Sequence, residues 1–308
     1  MGQFPTRIDI NNAVRNKQCY KHSQLRSGSP IFENGRLLQF QGGFSSVFPF
    51  ILENDKKVAL RCWTSYLQDA EERAKILSEY IKALKSDYFV RFVYLDEAIV
   101  INGDIHPIIV MNWADGKNLK DYISQHVGEQ LTMTKLAIEF RAMVSFFHQQ
   151  GIAHGDLQHG NIIVDNVGKI KVIDYDSMFI SGFENRYDLV KGKLEYQHPA
   201  RPKNVFLNPK LDYFSELIIY LSILAYNVHP ELWNSETEHL LFSKDDLDEH
   251  ELSDVFAFLL SSSNPKIRHL TTKLKEFLTE QNISSLLPLE EIADDELDII
   301  VNDITSLF

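Results

Sequence analysis

Residues 154–176 read H-G-D-L-Q-H-G-N-I-I-V-D-N-V-G-K-I-K-V-I-D-Y-D. Two apolar runs, I-I-V at 162–164 and I-K-V-I at 170–173, flank the polar turn D-N-V-G-K. That pattern predicts a short β-hairpin. Asp156 and Asn161 precede its first strand and Asp174 follows its second. A chain that leaves and returns along a hairpin brings both ends to the same side. The spacing therefore expects two carboxylates and one carboxamide within a few ångströms of each other. Hard oxygen donors gathered in this way suit Mg²⁺ carried with a polyphosphate, because Mg²⁺ takes one or two carboxylates plus phosphate oxygens in preference to an all-protein cage. Without that chemistry the same acids would read as ordinary turn residues.

H-G-D-L-Q-H-G-N resembles the catalytic loop H-x-D-x-x-x-x-N of the protein-kinase-like superfamily, and D-Y-D at 174–176 sits where that family has D-F-G. The resemblance spans roughly residues 37–280 and its elements occur in the family's order. It implies an α+β, bilobal protein-kinase-like fold, with a β-rich N-lobe carrying one key helix and a mainly helical C-lobe. The expected division is an N-terminal extension at 1–36, an N-lobe at 37–114, and a C-lobe with a C-terminal helical tail at 115–308. It also implies ATP and Mg²⁺ as cofactors. Asp156 would orient or accept the proton of the attacking hydroxyl, and Asn161 and Asp174 would hold the metal. Gln158 stands where kinases acting on Ser or Thr carry a lysine that contacts the transferred phosphoryl group. Its carboxamide can donate hydrogen bonds but supplies no charge.

The first half of the chain carries the matching nucleotide motifs. Residues 37–52 and 58–63 read as two strands, with G-G-F-S-S at 42–46 as a loop whose glycines let backbone N–H groups approach phosphate. Compared with the family's G-x-G-x-x-G-x-V, Gly42, Phe44 and Val47 fit, Gly43 lies beside them, and Phe40 and Ser45 replace the outer glycines. An ordinary Gly-Gly hairpin reads the same way. V-A-L-R at 58–61 resembles V-A-I-K, which places Ala59 at the nucleotide and puts Arg61 where the family has lysine. Arginine is longer, planar and fork-shaped, so this exchange is not automatically conservative. The alternative is an exposed strand arginine. Residues 68–84 show helical spacing of Ala70, Ala74, Leu77, Ile81 and Leu84. If this is the family's regulatory helix, Glu79 is the expected partner of Arg61 and Glu72 the second choice; a solvated helix face competes with both. Two further strands fill 88–111 around the turn I-N-G-D-I. After them N-W-A-D-G resembles the segment linking the lobes, with Met111 as gatekeeper and Asn112, Trp113 and Ala114 offering backbone groups to adenine.

Beyond residue 115 the pattern is helical, over 119–126 and over 133–150, where Gly151 ends the long helix. G-K-L-E-Y-Q-H-P-A at 192–200 resembles the end of an activation segment. Gly192, Tyr196 and Pro199 match, and Ala200 stands where the family has its closing glutamate. Asp212 heads the apolar run L-I-I-Y-L-S-I-L-A-Y, either as an N-cap, the reading preferred, or as an acid tied back to the catalytic loop. His154 is expected to pack behind that loop. Residues 290–303 are acidic and read as one last helix. Before residue 37 a helix is expected over 11–21, then a loop at S-G-S-P.

Composition sets the remaining bounds. The chain has 308 residues, 44% of them apolar, and a net charge of −12. That charge opposes general binding to nucleic acid or anionic membrane. The apolar run near residue 217 is about half a membrane span. Cys19 and Cys62 supply no disulfide framework, and the N-terminus lacks a secretory apolar core, so a cytoplasmic setting is expected. The reading is an enzyme that transfers phosphoryl groups from ATP to Ser/Thr hydroxyls of a protein substrate. Two alternatives stay open. One is a small-molecule phosphotransferase of the aminoglycoside or choline kinase kind. The other is a pseudokinase acting as a binding or scaffold module, suggested by Arg61, Gln158, D-Y-D and the absent glutamate.

Overall fold

The computed structural model describes residues 4–66 and 68–293. The chain divides into two units, Met1–Ala114 and Asp115–Phe308.

The first unit is built on a six-stranded antiparallel sheet. Its path runs Ser29–Pro30, Ser45–Ile51, Lys57–Trp63, Asp104–Asn112 and Phe92–Ile101, and Phe40–Gln41 pairs with Ser45–Ile51 off that path. Asn102 and Gly103, with φ of 53° and 92°, close the Phe92–Ile101 and Asp104–Asn112 hairpin. Two successive positive φ angles are what a two-residue turn matched to strand twist requires. Side chains alternate across the strand Lys57–Trp63, so Val58, Leu60 and Cys62 enter one core with Phe48, Phe50, Ile99 and Ile108. Ala59, Arg61 and Trp63 take the opposite face.

Residues before the expected start of the domain belong to that core. Ile10, Val14, Tyr20 and Leu25 are buried against the sheet residues just named. The helix is Arg7–Arg15, earlier than the expected 11–21. Its start is fixed by a capping box: Thr6 Oγ1 accepts from the Asp9 amide at 3.2 Å, and Asp9 Oδ2 accepts from the Thr6 amide at 2.9 Å. The S-G-S-P loop holds a short strand, since Ser29 pairs with Ile51 and Pro30 with Phe50. Both cysteines are free thiols.

The second unit is mainly helical. Tyr213–Val228 is buried nearly all round, as an apolar central helix should be. Gln130–Gln150 packs Met133, Leu136, Phe140, Met143, Val144 and Phe147 inward and ends at Gly151, whose φ is 64°. The expected hairpin is present, with Ile162 opposite Val172 and Val164 opposite Ile170. A third short strand, Lys117–Asn118, pairs with its outer edge. Of the acidic stretch expected as a last helix, Leu289–Ile292 is helical and 294–303 lies outside the described residues. Among the described residues no helix is long and apolar enough to cross a membrane.

One tie fastens that short helix to the two long ones. His148 Nδ1 lies 2.7 Å from Glu290 Oε2 and its Nε2 3.0 Å from the buried Glu216 Oε1. Burial would lower the imidazole pKa, but the hydrogen bonds and charges of Glu216 and Glu290 outweigh it and hold the group at about 9. Burial pushes the Glu216 carboxyl up to about 7 while His148 opposes the rise.

Two outcomes follow. Ile10→Ala should destabilise the first unit by about 2–5 kcal/mol, read as an earlier urea transition. An unchanged midpoint would mean that the leading segment is dispensable. A folded pKa raised above 6.5 stabilises fully below pH 6.5, and this is lost as pH rises through 9. Urea-unfolding stability of the wild type should therefore fall across that window, and the double variant His148→Gln/Glu216→Gln should flatten the slope.

Candidate active site

The loop between Gly151 and the hairpin is shaped by contacts to its backbone. Asp212, 1% exposed, accepts from the Gly155 amide at 2.8 Å through Oδ1 and from the His154 amide through Oδ2. It makes no side-chain cap to its own helix, so the preferred N-cap reading is corrected. A carboxylate with two amide donors in reach gains more from them than from one exposed helix end. Burial pushes its carboxyl upward, and His154, Arg201 and the two amides oppose this. Gly155 has φ +77°, and a Cβ there would collide with the Ser177 carbonyl. His154 is fully buried, with Nε2 2.9 Å from the Ile173 carbonyl, behind the loop as expected.

Asp156 and Asn161 meet directly. Asn161 Nδ2 donates to the Asp156 carbonyl at 2.9 Å and to Asp156 Oδ2 at 3.1 Å. Both partners only accept, which orients the amide and leaves Asn161 Oδ1 as a free acceptor among the described residues. The Asn161 carbonyl in turn accepts from the Ile173 amide at 3.0 Å, one residue before Asp174. Asp174 has φ +66°, an uncommon conformation for a residue with a side chain. Burial pushes the Asp156 carboxyl up to about 6; the Asp174 carboxylate adds to the rise, and His154, Asn161 and Arg201 pull against it. The hairpin thus brings Asp156 and Asn161 into contact and sets Asp174 within electrostatic reach.

Gln158 serves the loop itself. Its Oε1 accepts from the Gly160 amide at 2.8 Å, capping the short turn His159–Asn161. His159 is buried with Nδ1 2.6 Å from the Tyr196 hydroxyl, and burial, aided by Lys193 and Lys120, holds its pKa down at about 4. It is neutral and structural.

The segment after Asp174 folds back on this loop. Gly192, φ +72°, lies so close that a Cβ there would run into Asp156 Oδ1. Below it Arg201 grips Asp188 with two bonds of 3.0 Å, and both side chains are essentially buried. Lys191 reaches the same carboxylate at 3.0 Å. Sequence reading missed Asp188 and Arg201. Their only signal was a charged residue directly after the H-P-A turn, where exposure is the usual expectation.

In the first unit the sheet register gathers the expected nucleotide residues. Val47 is opposite Arg61, Arg61 opposite Ile109, and Ala59 opposite Met111. Directly paired residues share a face, so Val47, Ala59, Arg61 and Met111 line one side of the sheet. Arg61 is buried, with Nε donating to Ser45 Oγ at 2.9 Å and its guanidinium 5.8 Å from the Trp63 ring centre. It is not an exposed strand arginine. Gly42 and Gly43 form the exposed turn before Phe44; the Gly42 amide donates to the Ser45 carbonyl at 2.9 Å. Trp113 stands under the Lys57 ammonium at 3.8 Å and 6.4 Å from the Phe40 ring. The Asn112 amide is committed to the Arg91 carbonyl at 2.9 Å, so it is not open to a base.

Glu79 requires a correction. Its side chain is 74% exposed and paired with Lys82 at 3.4 Å, so it does not partner Arg61. The helix Ala70–Leu84 buries Arg73, Ala74, Leu77, Ser78 and Ile81, and that phase turns Glu79 outward.

The donor set fits Mg²⁺ brought by a nucleotide. Among the described residues no three His, Cys, Asp or Glu side chains are placed to hold an ion by themselves. One free carboxamide oxygen beside a carboxylate leaves most of an octahedral shell to phosphate and water.

Comparison with known proteins bears on the family. The family model described as protein kinase domain matches residues 40–282. The serine/threonine-protein kinase PrkC of Bacillus subtilis is 25% identical over 210 residues, covering 64% of this chain and 31% of that protein. The probable serine/threonine-protein kinase zyg-1 of Caenorhabditis briggsae is 29% identical over 146 residues, 47% of this chain and 20% of its own. Protein kinase kin1 of Schizosaccharomyces pombe is 25% identical over 144 residues, 45% of this chain and 16% of its own. The matches span a third or less of these relatives' lengths. With more than half of its length matched by the family model, the chain belongs to the protein kinase domain family.

Proposed function

We propose that this protein transfers the γ-phosphoryl group of ATP to Ser or Thr hydroxyls of a protein substrate, with Mg²⁺ as the metal. The observation that carries the reading is the Asp156–Asn161 bond at the mouth of the hairpin that leads to Asp174. It supports a base and a metal-ligand pair set by one rigid element.

Asp156 takes the proton of the attacking hydroxyl as oxygen bonds to phosphorus and ADP leaves. Its high pKa suits a group that must accept a proton near neutrality. Asn161, oriented by its bonds to Asp156, would present Oδ1 to Mg²⁺, and Asp174 would add a carboxylate. The metal, when bound, would neutralise phosphate charge. Arg61, on the sheet face with Val47, Ala59 and Met111, would hold the phosphates, and Gly42, Gly43 and Phe44 would cover them. Trp113 would offer its backbone to the base. Ser45 takes part in fixing Arg61, a role the sequence assigned to Glu79. Gln158, committed to its turn, preorganises Asn161 and does not need a cation's role.

Labelled Mg-ATP incubated with casein as acceptor tests this. Wild type should transfer label, and Asp156→Asn and Asp174→Ala should each reduce transfer by on the order of a hundredfold or more. Arg61→Ala should raise KM for ATP. Equal transfer in all variants would refute the enzyme reading, label confined to small molecules would refute the protein acceptor, and ATP binding without turnover would leave a binding module.

A further inference from the structure

Asp156 Oδ1 is buried and has no hydrogen-bond partner among the described residues. A buried carboxylate oxygen without a donor is costly, and native proteins rarely leave one so. Oδ2 is already engaged by Asn161. Gly192 packs over Oδ1, and having no Cβ it leaves a small gap beside that oxygen. On the far side of the gap stands the carboxamide of Gln197. A Cβ built on Gly192 would lie 3.2 Å from Gln197 Nε2 and would collide with Asp156 Oδ1.

The orientation of that carboxamide is decided by its other neighbour. Gln197 is 8% exposed, and Arg201 Nη1 donates to its Oε1. A guanidinium has no acceptor, so the atom facing it must be oxygen and the NH₂ must face the other way. Arg201 is itself held by Asp188 through Nε and Nη2 at 3.0 Å each. A buried chain of charge-assisted bonds, Asp188 to Arg201 to Gln197, therefore aims one amide donor into the gap next to the base.

We infer that Gln197 is a positioning residue for the phosphotransfer proposed above: its Nε2 is placed to donate across the gap to Asp156 Oδ1, and so to hold the carboxylate in the rotamer that presents Oδ2 to the acceptor hydroxyl. The inference rests on that reading. Gly192 is the residue that makes room for the bond, because any side chain there would displace Asp156 or separate the pair. Neither Gln197 nor Arg201 needs to touch substrate for this.

Gln197→Glu is the discriminating variant. The carboxylate keeps the shape and strengthens the contact with Arg201, yet replaces the donor aimed at Asp156 Oδ1 with an acceptor. If Gln197 merely braced the segment, this variant would melt at or above the wild-type temperature and keep its activity. As a positioning residue it should melt no lower than wild type while kcat for casein phosphorylation falls by on the order of tenfold to a hundredfold, with KM for ATP and casein little changed. Gln197→Ala should lose kcat similarly but also melt lower. Unchanged kcat in Gln197→Glu, or a fall confined to either KM, overturns the inference. Wild-type protein that transfers no label overturns the phosphotransfer reading itself, a different result from an active wild type with an equally active Gln197→Glu.

Discussion

The second unit depends on one buried carboxylate. Asp212, at the head of its central apolar helix, accepts from the amides of His154 and Gly155 and so fixes the backbone immediately before Asp156. Those two N–H groups have no partner in a regular element, because the chain has left the helix at Gly151 and has not yet reached the hairpin. Buried amides must be paired, and a charged acceptor on a rigid helix pairs both. The direction of the loop follows from there, and with it the contact of Asp156 with Asn161. The hairpin then sets Asp174 one residue beyond the bond from Ile173 to Asn161.

Around this anchor the polar side chains constrain one another more than they face solvent. Asn161 is oriented by two acceptors, Gln158 by a turn amide, and Arg201 by both oxygens of Asp188. Buried polar networks of this kind fix geometry when every member is satisfied. The open groups are therefore informative. Among the described residues two of them bear on the site: Asn161 Oδ1, which points to a metal carried by the nucleotide, and Asp156 Oδ1, which points to a donor across the segment.

Much of this was legible in the sequence because periodicity and turn chemistry are local. The hairpin, the long helix ending at Gly151 and the strand pair around Asn102 and Gly103 were all read from pattern. What failed was decided by phase or by distant partners. Glu79 looked like a partner for Arg61, yet the apolar stripe through Ala74, Leu77 and Ile81, itself legible in the spacing, is the buried one and turns Glu79 to solvent. Asp212 satisfies the sequence rule for an N-cap, and nothing local reveals that two amides 57 and 58 residues away claim it instead. The leading helix begins before residue 11 because Thr6 and Asp9 form a capping box, a local signal that the sequence does carry. Asp188, Arg201 and Gln197 lie in a stretch without periodicity, where composition reads as surface.

Asn161 and Asp174 are proposed to share a divalent metal delivered with ATP. Electron paramagnetic resonance of Mn²⁺ titrated into the protein with a non-hydrolysable ATP analogue measures this directly. Mn²⁺ should bind tightly only with the nucleotide present, show coupling to phosphorus, and be lost in Asn161→Ala and in Asp174→Ala. Mn²⁺ binding that ignores the nucleotide, or that survives both substitutions unchanged, would contradict it.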